Sequence, residues 1–189
     1  MIRKIIYHVY NRLKTYRWEV LARLINKNNL TSYAEIGVWK GETTKYILEH
    51  CKGLEKVYCV DSYTNNNDLF DEDKIAEART SVYPLFKHPK VTFIEEPSAE
   101  ASKEIKDKSL DLIFIDADHS YKDCKQDILC WYPKLKEGGI LCGHDYAIEY
   151  MGVINSVSEF SEQSTIFERV RMMQDKVWVM KLKGSKAKI

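Results

Sequence analysis

Short apolar segments alternate with segments of helical periodicity along most of this chain, and no other property of the sequence narrows the choice of folds as far. Five of the apolar segments end at polar or ionisable residues. Because strands that alternate with helices through right-handed crossovers form a parallel sheet, these residues are predicted to meet at its carboxyl edge. Ligands of open α/β sheets bind outside that edge, so the sequence predicts a site there. The residues in question are Glu35, Asp61, Glu95 with Glu96, Asp116 with Asp118, and His144 with Asp145.

The stretch LDLIFIDADHSY, residues 110–121, is the clearest of the five. Its first half is too continuously apolar for a half-exposed strand, which predicts a central strand buried on both faces. Asp116, Asp118 and His119 follow directly. An alternative is that the aspartates only cap a helix that begins near Ser120, since Asp is a preferred cap residue. A cap needs one acidic residue, however, and a group of three ionisable residues is more typical of a functional site.

A glycine turn follows the first strand in AEIGVWKGETT, residues 34–44. Gly37 and Gly41 permit a positive φ and a close approach of a ligand, and the helix predicted from Glu42 presents unpaired N–H groups. Asp61 ends the second strand, 20 residues after Gly41. At that spacing an acidic residue reaches the hydroxyl groups of a ribose. The alternative is a glycine turn beside an unrelated surface aspartate.

The remaining segments complete the alternating pattern. The polar segment 62–73 is long for a strand-to-helix loop and is either a lid or a solvated insertion. Two strands joined through a short turn at Gln174-Asp175 are predicted to be antiparallel neighbours. Predicted helices cover 74–86, the segment from Pro97, 121–135 and 155–161; a turn is predicted at Gly138-Gly139 before the fifth strand; and the two last strands cover 165–172 and 176–182.

Composition restricts the kind of protein this can be. The 189 residues suit one domain, 1–189, and the net charge of +1 gives no reason to expect nucleic acid as a partner. The five cysteines show no CxxC spacing, so neither a zinc site nor a disulfide framework is indicated. The sequence has no apolar run of about 18 residues, so a transmembrane segment is not expected. It also shows no signal peptide, so we expect a cytoplasmic location.

Both ends of the chain are basic. Residues 1–28 are predicted to form a helical extension, because apolar residues recur there at mainly helical spacing with basic residues between them. Such an extension either packs on the domain or forms a homodimer, and a membrane surface is the alternative. The segment GSKAKI, residues 184–189, is predicted to be a disordered tail.

Taken in order, these motifs resemble the class I S-adenosylmethionine-dependent methyltransferases over residues 30–183. The resemblance implies a doubly wound, Rossmann-like α/β fold: a seven-stranded, mostly parallel sheet with an antiparallel terminal strand and helices on both faces. It also implies that the glycine turn binds the methionine part of S-adenosylmethionine, Asp61 the ribose and Ser98 the adenine. The cofactor-binding residues implied are Glu35, Gly37, Trp39, Gly41, Thr43, Asp61, Ser62, Ser98, Asp116 and His119.

Within that class, IDADHSY together with GHDY resembles catechol and caffeoyl-coenzyme A O-methyltransferases and the sugar O-methyltransferases. The resemblance implies a divalent ion, Mg²⁺ or Mn²⁺, held by Asp116, His144 and Asp145. His144 departs from the family pattern, which has a carboxylate there, and it suits Mn²⁺, Fe²⁺ or Zn²⁺ better than Mg²⁺. His119 stands where those relatives have lysine.

An imidazole is a better general base near pH 7 than an ammonium group, so His119 is the expected base and Asp118 the alternative. The predicted activity is O-methylation of a small hydroxylated acceptor, either a sugar or a secondary metabolite, with metal assistance. Two alternatives stay open: a metal-independent methyltransferase with an Asp-His base, and a non-catalytic domain that binds the cofactor. Acceptor specificity is expected to depend on Trp39, Tyr63, Trp131 and Tyr146.

Overall fold

Residues 15–64 and 71–189 are described by the computed structural model, in which strands and helices alternate. The strands are β1 (Ser32–Ile36), β2 (Lys56–Val60), β3 (Val91–Ile94), β4 (Leu110–Ile115), β5 (Leu135–Gly143), β6 (Arg171–Met172) and β7 (Trp178–Lys181). The helices are α1 (Arg17–Lys27), α2 (Glu42–His50), α3 (Glu72–Phe86), α4 (Ser98–Glu104), α5 (Tyr121–Trp131) and α6 (Met151–Gln163).

The seven strands of the described residues form one sheet in the order β3-β2-β1-β4-β5-β7-β6. Strands β1 to β5 are parallel, whereas β7 runs antiparallel to β5 and β6 antiparallel to β7. The chain therefore winds outward in one direction from β1 and in the other from β4. This arrangement confirms the doubly wound, Rossmann-like fold, and it places the crevice of such sheets outside the ends of β1 and β4.

The central strand β4 is buried on both faces, as its apolar run predicted. Leu112 and Phe114 face a core that also contains residues of α1, α2 and α3. Ile113 and Ile115 face a second core, formed with α4, α5 and α6. Because helices cover both faces of the sheet, its carboxyl edge is the part that stays accessible. The polar groups that follow the strands lie at this edge.

Some predicted boundaries were wrong. The turn expected at Gly138-Gly139 is a part of β5, where the register against β4 shifts between Leu110 and Leu112. Helix α5 stops at Trp131, and a short 3₁₀ turn with Pro133 follows it, because proline has no N–H for a continued helix. The strand expected over 165–172 is reduced to β6 and a single bridge between Phe167 and Leu182.

The described part of the N-terminal extension, α1, packs on the domain. Val20, Leu21, Leu24 and Ile25 are buried in the core on its side of the sheet. Residues 1–14 of the predicted extension and residues 65–70 of the predicted lid lie outside the described residues. Among the described residues, no helix combines the length and the apolar character that crossing a membrane requires.

The C-terminal segment 184–189 forms no helix or strand but contacts the domain. The Ser185 hydroxyl donates to the Gly138 carbonyl at 2.8 Å, and the Lys188 N–H donates to Asn28 Oδ1 at 2.6 Å. The structure therefore shows contacts for a segment that its composition predicted to be a disordered tail.

Candidate active site

A cavity of about 750 Å³ opens at the carboxyl edge of the sheet, outside the switch between β1 and β4. The loops after β1, β2, β4 and β5, the first turn of α4 and the start of α1 form its walls. Most of the predicted site residues line it: Glu35, Gly37, Trp39, Asp61, Ser62, Ser98, Asp116, Asp118, His119, His144 and Asp145.

Gly41 and Thr43, which were also predicted to bind the cofactor, do not line the cavity. Gly41 has a φ of +74°, which favours glycine, and a Cβ on it would lie 2.6 Å from Leu85 Cδ1, so it packs closely against α3. Thr43 is buried and accepts a hydrogen bond from Arg17 Nε. Gly37 does line the cavity, but a Cβ on it would lie 2.2 Å from the Asp116 carbonyl oxygen, so it also permits the close contact between the turn and the end of β4.

Asp61 accepts three backbone hydrogen bonds, two of them from the glycine turn. Its Oδ2 accepts from the N–H groups of Val38 at 2.9 Å and Trp39 at 2.8 Å, and its Oδ1 accepts from Tyr63 N–H at 2.9 Å. The Tyr63 hydroxyl in turn donates to the Trp39 carbonyl at 2.7 Å. The carboxylate that was predicted to bind a ribose therefore also fixes the conformation of the glycine turn.

Glu35 lies at the floor of the cavity and is almost completely buried. The hydroxyl of Thr44 donates to its Oε2, as does that of Tyr33 at 3.3 Å. Burial raises the pKa of the Glu35 carboxyl to about 8, and the Thr44 hydrogen bond only partly opposes that effect. The side chain is therefore mainly protonated at neutral pH.

Glu35→Gln is expected to stabilise the ligand-free protein at neutral pH. Between pH 4.5 and 8 the unfolded chain has lost the Glu35 proton while the folded chain retains it, so stability falls as the pH rises. By pH 7 the accumulated loss is on the order of 3 kcal/mol. Urea unfolding at pH 5 and pH 7.5 measures the difference, with the exposed Glu49→Gln as the matched control. An equal pH dependence in wild type and Glu35→Gln would contradict the assignment.

Asp116, His144 and Asp145 form a cluster at the ends of β4 and β5. His144 Nδ1 lies 3.5 Å from Asp116 Oδ1 and 3.2 Å from Asp145 Oδ1. One ligand atom from each of the three residues lies within 4.8 Å of the others. Asp145 has a φ of +57°, a left-handed conformation that Asp tolerates better than most residues and that turns its carboxylate into the cluster.

The two carboxylates and His144 stabilise one another's charge. Burial alone would lower the pKa of His144, but the hydrogen bonds to Asp116 and Asp145 outweigh it and raise this pKa to about 9. Burial would likewise raise the pKa of Asp145, and the hydrogen bonds from His119 and His144 reverse the direction and lower it strongly. In the absence of another cation, His144 is therefore a cation and Asp145 an anion at neutral pH.

His119 forms a second pair with the same aspartate. Its Nε2 lies 2.8 Å from Asp145 Oδ2, and its ring contacts that of Tyr150 with centroids 4.4 Å apart. The hydrogen bond to Asp145 raises the pKa of His119 and burial opposes the rise. Asp118, the alternative base, accepts a hydrogen bond from Ser120 N–H at 2.6 Å, and Ser120 itself caps α5. The N-cap of this helix is Ser120 and neither Asp116 nor Asp118, so the alternative that the aspartates only cap the helix is wrong.

A family model described as a methyltransferase domain matches residues 34–146, which include the glycine turn, Asp61 and the whole acid-histidine cluster. The chain belongs to this methyltransferase family. No curated protein sequence matches this methyltransferase significantly. The family and the fold together make it an S-adenosylmethionine-dependent methyltransferase, as the sequence predicted.

Solved structures agree with this fold at low sequence identity. The O-methyltransferase NovP is 17% identical, with a TM-score of 0.67 over 88% of this chain and 79% of its own. A methyltransferase of Podospora anserina, PaMTH1, solved with S-adenosylhomocysteine, is 14% identical, with a TM-score of 0.66 over 88% of this chain and 78% of its own. Spermidine synthase of Thermotoga maritima is 18% identical, with a TM-score of 0.57 over 88% of this chain and 58% of its own.

Sequence reasoning missed three groups at the methyltransferase site. Arg17 lines the cavity and lies 3.1 Å from Asp116 through Nε. Asp175, in the turn between β6 and β7, lies 3.8 Å from His144 Nε2. Asp127 is buried behind Ser98, and burial raises its pKa to about 7 against the effect of the Ser98 hydrogen bond. Helical periodicity marks none of these as functional, since each depends on contact with a distant segment.

Two aromatic residues expected to select the acceptor lie elsewhere. Trp131 has no exposed surface, and its Nε1 donates to Ser98 Oγ at 2.9 Å. Tyr146 is also absent from the cavity wall; its hydroxyl bonds with that of Ser158. Trp39 and Tyr63 do line the cavity, and Tyr150, which the sequence did not single out, lines it beside His119.

Proposed function

We propose that this methyltransferase moves the methyl group of S-adenosylmethionine to a hydroxyl oxygen of a small acceptor. The observation that carries the proposal is that the His119–Asp145 pair faces the same cavity as the glycine turn and Asp61. A hydroxyl is a weak nucleophile until it loses its proton, so a base beside the methyl donor is the group that O-methylation requires. A sugar or a phenolic secondary metabolite is the proposed class of acceptor.

The pairing assigns distinct roles to the two ring nitrogens of His119. With Nε2–H donated to Asp145 Oδ2, the neutral ring has Nδ1 left to accept the acceptor's proton. Asp145 orients the ring and stabilises the imidazolium that forms. The acceptor oxygen then attacks the methyl carbon in line with sulfur, and the electron pair of the breaking bond neutralises the sulfonium. Most of the acceleration comes from holding the three atoms in line.

We also propose that Asp116, His144 and Asp145 hold a divalent ion. Their oxygen and nitrogen atoms are close enough to share one ion, and the mixed carboxylate-imidazole set suits Mn²⁺, Fe²⁺ or Zn²⁺ better than Mg²⁺. His144 Nδ1 faces both carboxylates, whereas its Nε2 is buried without a hydrogen bond among the described residues and lies 3.8 Å from Asp175 Oδ2. A bound ion would lower the pKa of a chelated acceptor hydroxyl and orient it.

One observation favours a metal-independent candidate. Within the described part of the chain, the cluster already balances its carboxylates with cationic partners: Arg17 beside Asp116, and His119 and His144 beside Asp145. In that case the Asp-His pair performs the proton transfer alone. Activity with and without a strong chelator separates the two candidates.

The activity itself is tested with methyl-labelled S-adenosylmethionine and a panel of phenols, catechols and sugars. We expect labelled methyl ethers from at least one acceptor class, identified by mass spectrometry. Label transferred only to amines or thiols would contradict O-methylation. Cofactor binding without transfer to any acceptor would favour the non-catalytic alternative.

Asp61→Asn is expected to weaken S-adenosylmethionine binding by on the order of 1.5 to 3 kcal/mol, the usual value for hydrogen bonds to a charged group. Titration calorimetry measures the affinity, and the exposed Asp107→Asn serves as the control. Since Asp61 also holds the glycine turn, a cofactor analogue lacking the ribose hydroxyl groups separates its two roles. If the carboxylate contacts the ribose, wild type should bind the analogue more weakly than S-adenosylmethionine. The affinity for the analogue should then be nearly the same in wild type and in Asp61→Asn. An equal loss for both ligands would assign Asp61 to the turn alone.

A further inference from the structure

Arg17, the first residue of α1, brings a guanidinium group into the cavity from outside the segment that matches the family. Two contacts hold the guanidinium, whose Nε lies 3.1 Å from Asp116 Oδ2 and 3.3 Å from Thr43 Oγ1. A third anchors the backbone of Arg17, whose N–H donates to Asp175 Oδ2 at 2.6 Å. Each contact comes from a different part of the chain. A long cationic side chain is thus fixed at the cavity wall before any ligand binds.

The guanidinium lies over the Trp18 ring, with Cζ 5.4 Å from the ring centroid, and its Nη groups are available for a ligand. Within residues 15–64 and 71–189, its hydrogen bonds go through Nε, and none engages the two Nη groups. The side chain is 28% exposed, so it is partly removed from water and held against the cavity. Two N–H groups in a planar fork match the geometry of a carboxylate, and arginine is the residue that binds this group in a bidentate manner.

With adenine and ribose placed as the family resemblance implies, the order of the strands indicates which end of the cofactor would lie near Arg17. The sheet runs β3-β2-β1-β4-β5, with Ser98 after β3, Asp61 after β2, the glycine turn after β1 and Asp116 after β4. A nucleoside whose adenine is near Ser98 and whose ribose is near Asp61 extends its sulfur toward β1 and β4. The amino-acid end then branches from sulfur beside the glycine turn and the start of α2, which is where Arg17 contacts Thr43.

We propose that Arg17 binds the α-carboxylate of the methionine part of S-adenosylmethionine and thereby selects the cofactor that carries this group. The inference rests on the cofactor assigned above. Asp116 and Thr43 orient the guanidinium, and its Nη groups donate to the carboxylate. Arg17, which belongs to the N-terminal helix α1, then determines the specificity for the cofactor.

The test compares the binding of S-adenosylhomocysteine with that of its decarboxylated analogue, which retains the adenosine, the thioether and the ammonium group. Wild type is expected to bind S-adenosylhomocysteine about 10- to 100-fold more tightly, the range for a hydrogen-bonded charge pair. Arg17→Met should reduce that preference to about threefold or less, by weakening S-adenosylhomocysteine and sparing the analogue. Arg17→Lys should retain part of the preference, since it keeps the charge without the fork.

The control is Arg23→Met, because Arg23 lies on the same helix but donates to Gln174 and does not line the cavity. It should leave the preference unchanged. A wild type that binds both ligands equally, or a preference that persists in folded Arg17→Met, would overturn the proposal while leaving the cofactor assignment intact. If Arg17 serves an anionic acceptor instead, Arg17→Met raises the acceptor KM without altering the preference, which also overturns it. Failure of wild type to bind either ligand would remove the cofactor assignment itself.

Discussion

Asp145→Asn is expected to reduce methyl transfer by on the order of 10² to 10⁴-fold while the cofactor still binds. Asp145 accepts from His119 at one oxygen and lies beside His144 at the other, so a single carboxylate orients the proposed base and contributes to the proposed ion site. An asparagine at this position keeps the volume and tolerates the left-handed backbone at φ +57°. The loss therefore reports the missing charge rather than a refolded loop.

Asp116→Asn is expected to reduce methyl transfer to a similar extent, because Asp116 completes the cluster. It should also weaken cofactor binding, because its carboxylate pairs with Arg17. The control is Glu149→Gln, an exposed acid that lies near Lys176 at the rim. Single-turnover rates with saturating cofactor measure the effect, and calorimetry verifies cofactor binding. Normal turnover in folded Asp145→Asn would contradict both candidate mechanisms.

Activity in the presence of a chelator distinguishes the metal-dependent mechanism from the metal-independent one. Activity that disappears with the chelator and returns with Mn²⁺ supports the ion held by Asp116, His144 and Asp145. If the enzyme is fully active in the chelator and Asp145→Asn is inactive, the role of Asp145 is to orient His119 and not to bind an ion.

His119→Ala is expected to remove the acid limb of the pH–rate profile together with most of the rate, again on the order of 10² to 10⁴-fold. The neutral ring is the reactive form, so the rate should fall as the pH drops through the pKa of His119. The Asp145 hydrogen bond raises that pKa above the ordinary value of about 6.5, and burial only partly opposes the rise. The limb of the metal-free enzyme is therefore expected above pH 6.5, and a cation bound to Asp145 should move it down.

The exposed His50→Ala is the matched control, since His50 bonds to the Tyr46 carbonyl on α2 and is remote from the cavity wall. Its pH–rate profile should match that of wild type. Near-normal turnover in His119→Ala with the same acid limb would show that another group, Asp118 or His144, is the general base. A second variant, His119→Lys, reproduces the residue of the related O-methyltransferases and should restore activity only at higher pH.

The alternation of strands and helices was predictable because it is encoded locally. A buried parallel strand such as Leu110–Ile115 carries its apolar character in consecutive residues, and the rules of crossover handedness then determine which ends share an edge. The meeting of Asp116, His119, His144 and Asp145 at one cavity follows from that topology alone. The family and the cofactor class were inferred from the resemblance of these motifs to known methyltransferases, before any contact was known.

What needed the tertiary structure was the direction of each side chain and the arrival of distant segments. Arg17 and Asp175 are 158 residues apart and join the site because α1 and the β6–β7 turn both pack at the same edge. Asp61 turns out to hold the glycine turn, and Gly41 and Thr43 are occupied by packing and by Arg17. Local periodicity records which residues are buried, whereas the partner of a charge depends on packing between elements. Here that packing decided which groups face the cavity.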